Sequence, residues 1–234
     1  PLLRRSEAGF LGSLKQAGQS SMRSRDRRRI QNSLAVGQMA LTLVLLVAAG
    51  LMLRSYWALH RVDPGFGDPH DLLTFRVSIP PSLVPDLEAR ALAHESIGRR
   101  LTEIPGVDSV GMASSIPMAV GGNVNPFWVD ASPPSGECPP PIRRHKWLGE
   151  GYFETLQIPL LAGRTFTWNE IHERIPGALV SESLAREYWG SPTAALGQRV
   201  AIQPNPVRWH EVIGVVADVR EDGLSLDPVP MVYW

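Results

Sequence analysis

The sequence predicts an α+β protein in which one N-terminal transmembrane helix is followed by an extracytoplasmic domain of mixed α/β structure. Three observations support this prediction. A run of 24 residues near the N-terminus carries no charge, and basic residues gather on one side of that run. The remaining chain alternates between strand-like and helix-like patterns. The 234 residues, 44% of them hydrophobic, are enough for one large or two small domains.

The uncharged run extends from Ile30 to Leu53, and 16 of the 20 residues between Leu34 and Leu53 are apolar. As a helix, the run measures roughly 36 Å, more than the roughly 30 Å of hydrocarbon in a bilayer. A core helix of a soluble protein is the alternative, but this run is unusually long and apolar. A signal peptide has a shorter apolar stretch behind a shorter leader. We therefore predict a transmembrane helix over 30–55.

Charge indicates how this helix is oriented. Residues 1–29 contain eight Lys or Arg against two acids, whereas the other 205 residues contain 15 against 21. Basic residues concentrate on the cytoplasmic side of membrane helices, so segment 1–29 is predicted to be cytoplasmic and residues after about 55 periplasmic or extracellular. Tyr56 and Trp57 then lie at the outer interface. The arginines lack interleaved aromatic residues and the chain has no net charge, which argues against a nucleic-acid partner.

One side of the predicted helix is smaller and more polar than the rest. Ala35, Gln38, Thr42 and Ala49 fall within about 60° of one another on a helical wheel. Such a face packs against other transmembrane helices, with Gln38 as an interhelical hydrogen-bonding group. Leu46 and Leu53 interrupt the face, so a lone anchor remains an alternative, and Gln38 lining a transport path is another.

After a turn-rich exit at 63–69, residues 56–234 form the predicted domain. Alternation predicts a strand at 72–79, a helix opened by Pro85 and Asp86 and ending at Ile104, and a strand at 107–114. These three elements would form a β-α-β unit of about 45 residues. His94 lies on the apolar face of that helix and is predicted to be a hydrogen-bonded core histidine.

The second half of the domain contains further elements. Segment 117–141 holds seven prolines and is predicted to be a long loop, either an arm or a contact surface, with a short strand at 127–130. Cys138, the single cysteine, lies there, so no internal disulfide is possible. Segment 142–148 is a weak strand, expected to be a solvated, charged edge. Stronger signals predict a strand at 177–181, a helix at 182–189 between Ser181 and Gly190, and strands at 198–203 and 211–219.

No motif in the sequence predicts catalysis, a cofactor or a metal site. The Gly-x4-Gly-Lys-Ser/Thr loop is absent, as are Gly-x-Ser-x-Gly, His-Glu-x-x-His and the calcium-loop pattern. Acidic groups at Asn169-Glu170 near Glu173, and at Glu221-Asp222 after Asp218, are typical of solvated loops. An aromatic concentration predicts core packing first, and otherwise a ligand platform or a partner surface; its members are Trp147, Tyr152, Phe153, Phe166 and Trp168.

A family resemblance rests on several motifs in a fixed order. They are SLAVGQMALTLVLLVAAGLMLRSYWALHRVDPGF, IPGVDSVGMASSIPM, GYFETLQIPLLAGRTFT, ALVSESLAREYWG, ALGQRV and VIGVVADVREDGLSLDPVPMVYW. Together they resemble MacB/FtsX-like ABC transporter permeases, most closely the duplicated orphan permeases of acidobacteria, over 27–234. The chain departs from that pattern at Asn169-Glu170, at Ser181 where asparagine is frequent, and at 148–150.

The resemblance implies a non-catalytic permease fragment of the bacterial inner membrane, with three further transmembrane helices after the domain. A separate cytoplasmic ABC ATPase would hydrolyse ATP and move the domain through the helix. Other permease helices or a second permease half, and an outer or periplasmic protein, are the implied partners. We predict a membrane-to-domain lever over 54–66 formed by Arg54, Tyr56, Trp57, Pro64, Gly65 and Phe66. A single-span anchored binding or sensor domain is the main alternative, and an anchored enzyme ranks far lower.

Overall fold

A computed structural model describes residues 7–80, 82–84, 86–119, 122–130, 140–202 and 208–234, with side chains from Arg27 onward except that of Leu87. The chain divides near residue 61 into two units, the first made of one long helix and the second comprising Val62–Trp234. The second unit is called the domain below. Cys138 and the rest of 131–139 lie outside the described residues.

The first unit is the helix α1, Glu7–His60. Its part from Arg27 to His60 has a mean hydropathy of 2.2 in its most apolar window, and none of that window is buried. The predicted apolar helix is therefore confirmed, and it continues as helix on both sides of 30–55. No proline interrupts α1, which ends at His60, shortly before the turn at Asp63-Pro64.

The domain contains five further α-helices and eight strands among its described residues. The helices are α2 (Leu87–Thr102), α3 (Tyr152–Thr155), α4 (Trp168–Glu173), α5 (Glu182–Trp189) and α6 (Pro192–Ala195). The strands are β1 (Asn123–Pro126), β2 (Trp128–Val129), β3 (Ile142–Lys146), β4 (Leu160–Gly163), β5 (Gly177–Ser181), β6 (Arg199–Ala201), β7 (His210–Val216) and β8 (Met231–Tyr233).

All eight strands belong to one mixed sheet with the order β1-β3-β8-β5-β7-β6-β2, and β4 also pairs with β7. The two ends of this order, β1 and β2, are separated in sequence only by Phe127. One short segment, 123–129, therefore supplies both edge strands of this sheet. Because a single residue joins these two strands, the sheet must curl until its edges lie close together. Phe127, only 1% exposed, marks this bend, and its N–H donates to the carbonyl of Pro141 at 2.9 Å.

The curled sheet separates two apolar clusters. On one side, α5 and α6 pack against residues of β5, β6, β7 and β8 such as Val180, Val200 and Val232. On the other side, α3 contributes Tyr152 and Phe153, which pack around Tyr233. Because β5 is covered on both faces, all five of its residues are buried.

The elements predicted from the strongest local signals are confirmed. The strand at 177–181 and the helix at 182–189 have the predicted bounds. The Ser181 side chain accepts from the N–H of Leu184, and Gly190 ends the helix with φ 80°. The predicted strands at 198–203 and 211–219 correspond to the shorter β6 and β7.

The β-α-β unit predicted over 72–114 is wrong in its strands. Its helix exists as α2, capped by Asp86, but 72–79 has no regular secondary structure and pairs with no strand that the structure describes. Segment 107–114 makes one isolated bridge, Ala113 to Leu148. The alternation in 72–79 fits a strand, but a strand needs a partner as well as a pattern. Neighbouring parallel strands occur instead at β5 and β7, with α5, α6 and β6 between them in sequence.

Two further predictions need correction. The predicted loop at 117–141 contains β1, which alternation did not reveal, as well as Trp128–Val129 within the predicted short strand. Strand β3 was expected at a solvated edge, yet it lies between β1 and β8, and Lys146 is only 2% exposed. Its charges are tolerated because each is paired: Arg143 with Glu187, Arg144 with Asp222, and Lys146 with Glu221.

His94 is partly buried on α2, with Nδ1 2.8 Å from the carbonyl oxygen of Arg90. The predicted hydrogen bond is present, but the prediction of a core position is wrong, because His94 is only partly buried. The bond joins adjacent turns of one helix, so this histidine stabilises α2 locally.

His145 on β3 makes the stability of the domain depend on pH. Burial lowers the pKa of His145, which is 4% exposed. The unfolded chain binds a proton near the ordinary histidine pKa of about 6.5, whereas the folded domain resists protonation until a lower pH. The buried, neutral His145 therefore contributes its full stabilisation above the unfolded-state pKa of about 6.5. This contribution is lost as the pH falls toward the lower folded-state pKa. We expect the melting temperature of His145→Gln to fall less between pH 7.5 and pH 5.5 than that of the wild type. The exposed His70→Gln variant is the control and should keep the full decrease.

Candidate functional site

The candidate site is the place where the chain enters the domain. We call residues 62–67 the entry segment and residues 218–221 the receiving loop. Within the entry segment, a carboxylate oxygen of Asp63 accepts the N–H of Gly65 at 2.8 Å, and Pro64 lies between them with a restricted φ. Gly65 has φ 84°, a conformation that L-residues adopt only with strain. The entry segment is therefore a defined turn and not a flexible linker.

Backbone hydrogen bonds fix this turn to the domain. The N–H of Arg220 donates to the carbonyl of Pro64 at 3.0 Å, and the N–H of Gly67 donates to the carbonyl of Leu156 at 2.8 Å. A Cβ at Gly65 would lie 2.2 Å from the carbonyl oxygen of Asp218. Phe66 packs against the apolar cluster around α3. The entry segment is thus held by the receiving loop, by the end of α3 and by apolar contact.

Asp218 connects the receiving loop to α5. One of its carboxylate oxygens accepts the backbone N–H of Ser183 at 2.9 Å and the Ser183 hydroxyl at 2.7 Å. Both donors belong to the first turn of α5, where unpaired N–H groups and the helix dipole favour a negative charge. The Ser181 hydroxyl oxygen, just before this turn, accepts the N–H of Met231 at 3.0 Å and so links β8 to the same place.

Glu221 connects the receiving loop to the centre of the sheet. Its two carboxylate oxygens lie 2.8 and 2.7 Å from the Lys146 Nζ, and the two side chains are only 5% and 3% exposed. The same ammonium group donates to the Tyr152 hydroxyl at 3.2 Å. The backbone carbonyl of Glu221 accepts the N–H of Met118 at 3.0 Å. One acidic residue therefore joins the receiving loop to β3, α3 and the 117–119 turn.

Burial governs the protonation of this group of side chains. Burial lowers the pKa of Lys146, while the attraction of Glu221 opposes that decrease. Burial also raises the pKa of Tyr152, so its phenol stays protonated and the ammonium bonds a neutral oxygen. An ammonium and a carboxylate that are both buried must remain paired, because each alone would carry a large desolvation cost.

This arrangement is suited to holding backbone segments in place. The Lys146 ammonium and the Glu221 carboxylate are bonded to each other inside the core, so neither faces an open cleft. Within the described ranges, no group of three or more His, Cys, Asp or Glu side chains could hold a metal ion. What the site provides is a continuous series of hydrogen bonds from Pro64 through the receiving loop to the sheet and to α5.

The residues predicted as a lever fall in both units of the chain. Pro64, Gly65 and Phe66 belong to the entry segment and are bonded to the domain or packed on it. Arg54, Tyr56 and Trp57 lie on α1, where Tyr56 stacks on His60 with ring centres 5.8 Å apart. The lever itself remains a prediction.

The predicted packing face lies on α1. Ala35, Gln38, Thr42 and Ala49 are all exposed there. The Thr42 hydroxyl donates to the carbonyl of Gln38 at 2.8 Å, so this donor is already used within the helix. Among these four side chains, only the amide of Gln38 can offer a hydrogen-bond donor to another helix. The packing role also remains a prediction.

The aromatic residues singled out in the sequence do not form one platform. Tyr152, Phe153 and Phe166 are buried in the cluster around α3, as the core-packing prediction required. Trp147 is 51% exposed, and Trp168 stacks on His172.

The acidic groups were expected on solvated loops, which is wrong for Glu221, only 6% exposed. Glu170 closes the capping box of α4 and binds Arg164, which lowers the Glu170 pKa to about 2. Asp218 and Glu221 hold the receiving loop, and Asp222 pairs with Arg144.

Lys146 is the residue that the sequence analysis missed. A signal was present: the chain has 23 basic residues of which only Lys15 and Lys146 are lysines. Arginine is the usual cation of buried ion pairs, because its guanidinium is less strongly hydrated than an ammonium, so a lysine at such a position is unusual. The rarity of lysine therefore marks Lys146 as unusual, but its partner Glu221 lies 75 positions away and no local pattern connects the two residues.

We predict that Gly65→Ala destabilises the domain more than a matched glycine substitution does. Gly106 has a similar φ of 90°, but nothing lies within 4 Å of the position its Cβ would take. Gly106→Ala should cost about 1–2 kcal/mol from backbone conformation alone. Gly65→Ala should cost at least about 1 kcal/mol more, because it also pushes Asp218 away. Chemical denaturation of the full chain in detergent measures both, and equal losses would contradict the close approach.

Lys146→Met should destabilise the domain by about 3–5 kcal/mol, because it leaves Glu221 buried without a partner. Adding Glu221→Gln to that variant should restore a substantial part of the loss, since the unpaired charge is removed. Unfolding free energies of the two single variants and the double variant complete a thermodynamic cycle. A double variant as unstable as the sum of the single variants would show that the pair is not coupled.

Comparison with known proteins places the chain in a family. A family model described as the MacB-like periplasmic core domain matches residues 33–233. No curated protein matches the sequence.

Three solved structures are similar to parts of the chain. The periplasmic region of MacB from Actinobacillus actinomycetemcomitans is 19% identical with a TM-score of 0.40, and the match covers 59% of this chain and 53% of that one. The extracellular domain of the noncanonic ABC-type transporter YknZ from Gram-positive bacteria is 19% identical with a TM-score of 0.40, covering 59% and 60%. A domain of a permease protein from Porphyromonas gingivalis is 17% identical with a TM-score of 0.37, covering 58% and 54%.

This chain therefore spans between 53% and 60% of the length of those three structures. The assignment depends on the family model, which covers the apolar part of α1 from residue 33 onward and almost all of the domain. The chain belongs to the family of the MacB-like periplasmic core domain, which confirms the resemblance to MacB/FtsX-like ABC transporter permeases.

Proposed function

We propose that this chain is part of a permease whose extracytoplasmic domain is moved by a separate cytoplasmic ATPase. In this mechanism α1 carries the movement across the membrane and the entry segment passes it to the domain. The observation that supports this most directly is the entry segment, whose backbone is hydrogen-bonded to a loop anchored by the buried Lys146–Glu221 pair. Movement of Pro64 would be resisted by the sheet and by α5, because both are bonded to the loop that holds Pro64. A flexible linker would absorb such a movement instead.

The chemistry of the chain supports a mechanical role. The sequence carries no phosphate-binding loop, so ATP would be bound and hydrolysed by another subunit. Lys146 and Glu221 neutralise each other inside the core, which suits structural anchoring better than proton transfer. We assign the chain no catalytic residue and no cofactor.

The proposed topology follows from charge and from the family. The basic residues before α1 would lie in the cytoplasm, and the domain would lie on the periplasmic side of the inner membrane. The ATPase would act from the cytoplasmic side, together with further permease helices or a second permease half. The Gln38 amide, a polar group inside a long apolar helix, favours contact of the face Ala35, Gln38, Thr42 and Ala49 with such helices. Export of a substrate, with a periplasmic partner, is the form of transport that the family suggests.

The coupling is tested by separating the helix from the domain. The complete permease with its ATPase is placed in nanodiscs, Cys138 is replaced by Ser, and one fluorophore is attached through Glu88→Cys, an exposed position on α2. Energy transfer to acceptor lipids then reports the distance of the domain from the membrane. We expect this signal to change when ATP and vanadate trap the ATPase. A six-residue Gly/Ser insertion between Arg61 and Val62 should abolish the change while ATP hydrolysis continues.

The control is the same insertion at the exposed turn Pro105-Gly106, which lies in the domain but outside the entry segment. This control should keep the full change in energy transfer. An undiminished change in the Arg61–Val62 insertion variant, or no change in the unmodified permease, would contradict the proposed coupling.

A further inference from the structure

A cleft in the domain is lined by residues outside the entry segment and the receiving loop. It has a volume of about 430 Å³ and is bordered by the end of β4, the start of β5 and the start of β7. Its apolar part is formed by Phe166, Leu196, Val212 and Ile213, with Ile175 at the rim. Ile175 is 49% exposed, so part of this apolar surface faces solvent. We call this the Glu211 cleft, after the acidic residue that lines it.

The Gly163-Arg164-Thr165-Phe166 motif builds one side of the cleft and leaves its arginine neutralised. Gly163 has φ 78°, and a Cβ there would lie 2.2 Å from the carbonyl oxygen of Ile213. This close approach lets the N–H of Arg164 donate to that carbonyl at 3.0 Å. The Arg164 guanidinium is then bound by both carboxylate oxygens of Glu170, at 2.5 and 2.7 Å. Two parallel hydrogen bonds to one carboxylate hold the guanidinium in place, and the charge of the nearby Glu211 also raises the Arg164 pKa.

Because Glu170 holds Arg164, Glu211 is the acid in excess among the charged residues that line the cleft. It is exposed and lines the cleft. Its cross-strand neighbour on β6, Arg199, is bound to Asp130 at 2.6 Å instead. Within the part of the chain that the structure describes, Glu211 forms no ion pair. With Arg164 and Glu170 cancelling each other, the cleft carries one net negative charge beside an apolar surface.

The net charge of the whole domain also favours a basic partner. Between Val62 and Trp234 the sequence has 13 Lys or Arg against 21 Asp or Glu, a difference of −8. A field of this sign steers basic partners toward the surface and disfavours acidic ones. An open cleft of this size accommodates a few side chains of a polypeptide that extends beyond it.

We propose that the Glu211 cleft is a docking site for a partner polypeptide that presents a basic side chain next to aliphatic ones. The basic group pairs with the Glu211 carboxylate, and the aliphatic side chains cover Ile175 and its apolar neighbours. The inference rests on the proposed extracytoplasmic position of the domain and names the chemistry of a partner there. It does not depend on coupling to an ATPase.

The test uses the full chain in nanodiscs of neutral phosphatidylcholine, without ATP or ATPase. Two fluorescent peptides differ only in the charge of one residue: acetyl-Ala-Leu-Arg-Leu-Ala-amide and acetyl-Ala-Leu-Glu-Leu-Ala-amide. We expect the arginine peptide to bind more tightly in fluorescence anisotropy. Glu211→Gln should weaken its binding roughly three- to fivefold, as expected for loss of one partly exposed ion pair. Ile175→Ser should also weaken it, since apolar contact is lost.

The matched control is Glu173→Gln, which removes the same charge from an exposed position on α4 outside the cleft lining. This variant should bind the arginine peptide like the wild type. Equal affinity for the two peptides, no binding to the wild type, or an equal loss in Glu173→Gln and Glu211→Gln would overturn the proposal. Glu211-dependent dimerisation would make a second copy of the chain the occupant and would overturn it as well. Because these measurements need no ATPase, failure here leaves the coupling experiment unaffected.

Discussion

The buried pair of Lys146 and Glu221 is the interaction on which the organisation of the domain depends. The two residues are 75 positions apart, and their contact joins an interior strand to the loop that receives the incoming chain. Once both charges leave water, each is stable only beside the other, so their separation cannot vary much. This requirement fixes the receiving loop on the sheet, and the receiving loop in turn fixes Pro64 and Gly65.

The curled sheet explains how such a pair comes to be buried. Segment 123–129 contributes β1 at one edge and β2 at the other, which places β3 inside the sheet instead of at its margin. Residues of β3 must then satisfy their charges with partners from other elements. Glu187 on α5, Asp222, and Glu221 on the receiving loop provide those partners. The fold thus accepts the basic side chains of Arg143, Arg144 and Lys146 in one short strand, because α5 and the loop after β7 supply an acid for each of them.

The features that the sequence predicts correctly have local signals. The uncharged run of α1 and the Ser181 and Gly190 boundaries of α5 each depend on residues within a few positions of one another. The features predicted wrongly depend on partners that are distant in sequence. Strand β3 looked like a solvated edge because Glu221 is remote in sequence, and 72–79 has a strand pattern without a described strand beside it. In the candidate site, Pro64, Gly65 and Phe66 were recognised as a junction, but their attachment to Arg220 and Leu156 requires the fold.

The stiffness of the entry segment bears on how a movement could reach the domain. A flexible linker of Gly and Ser absorbs displacement by changing its many accessible conformations. The entry segment has few such conformations, since Pro64 restricts its φ, Asp63 closes a turn onto Gly65, and the backbone at Pro64 and Gly67 is hydrogen-bonded to the domain. A displacement applied there must either break these bonds together with the Phe66 contacts or carry the receiving loop along. The receiving loop is bonded to both α5 and β3. A displacement that carries this loop along therefore moves the sheet and its helices as one body.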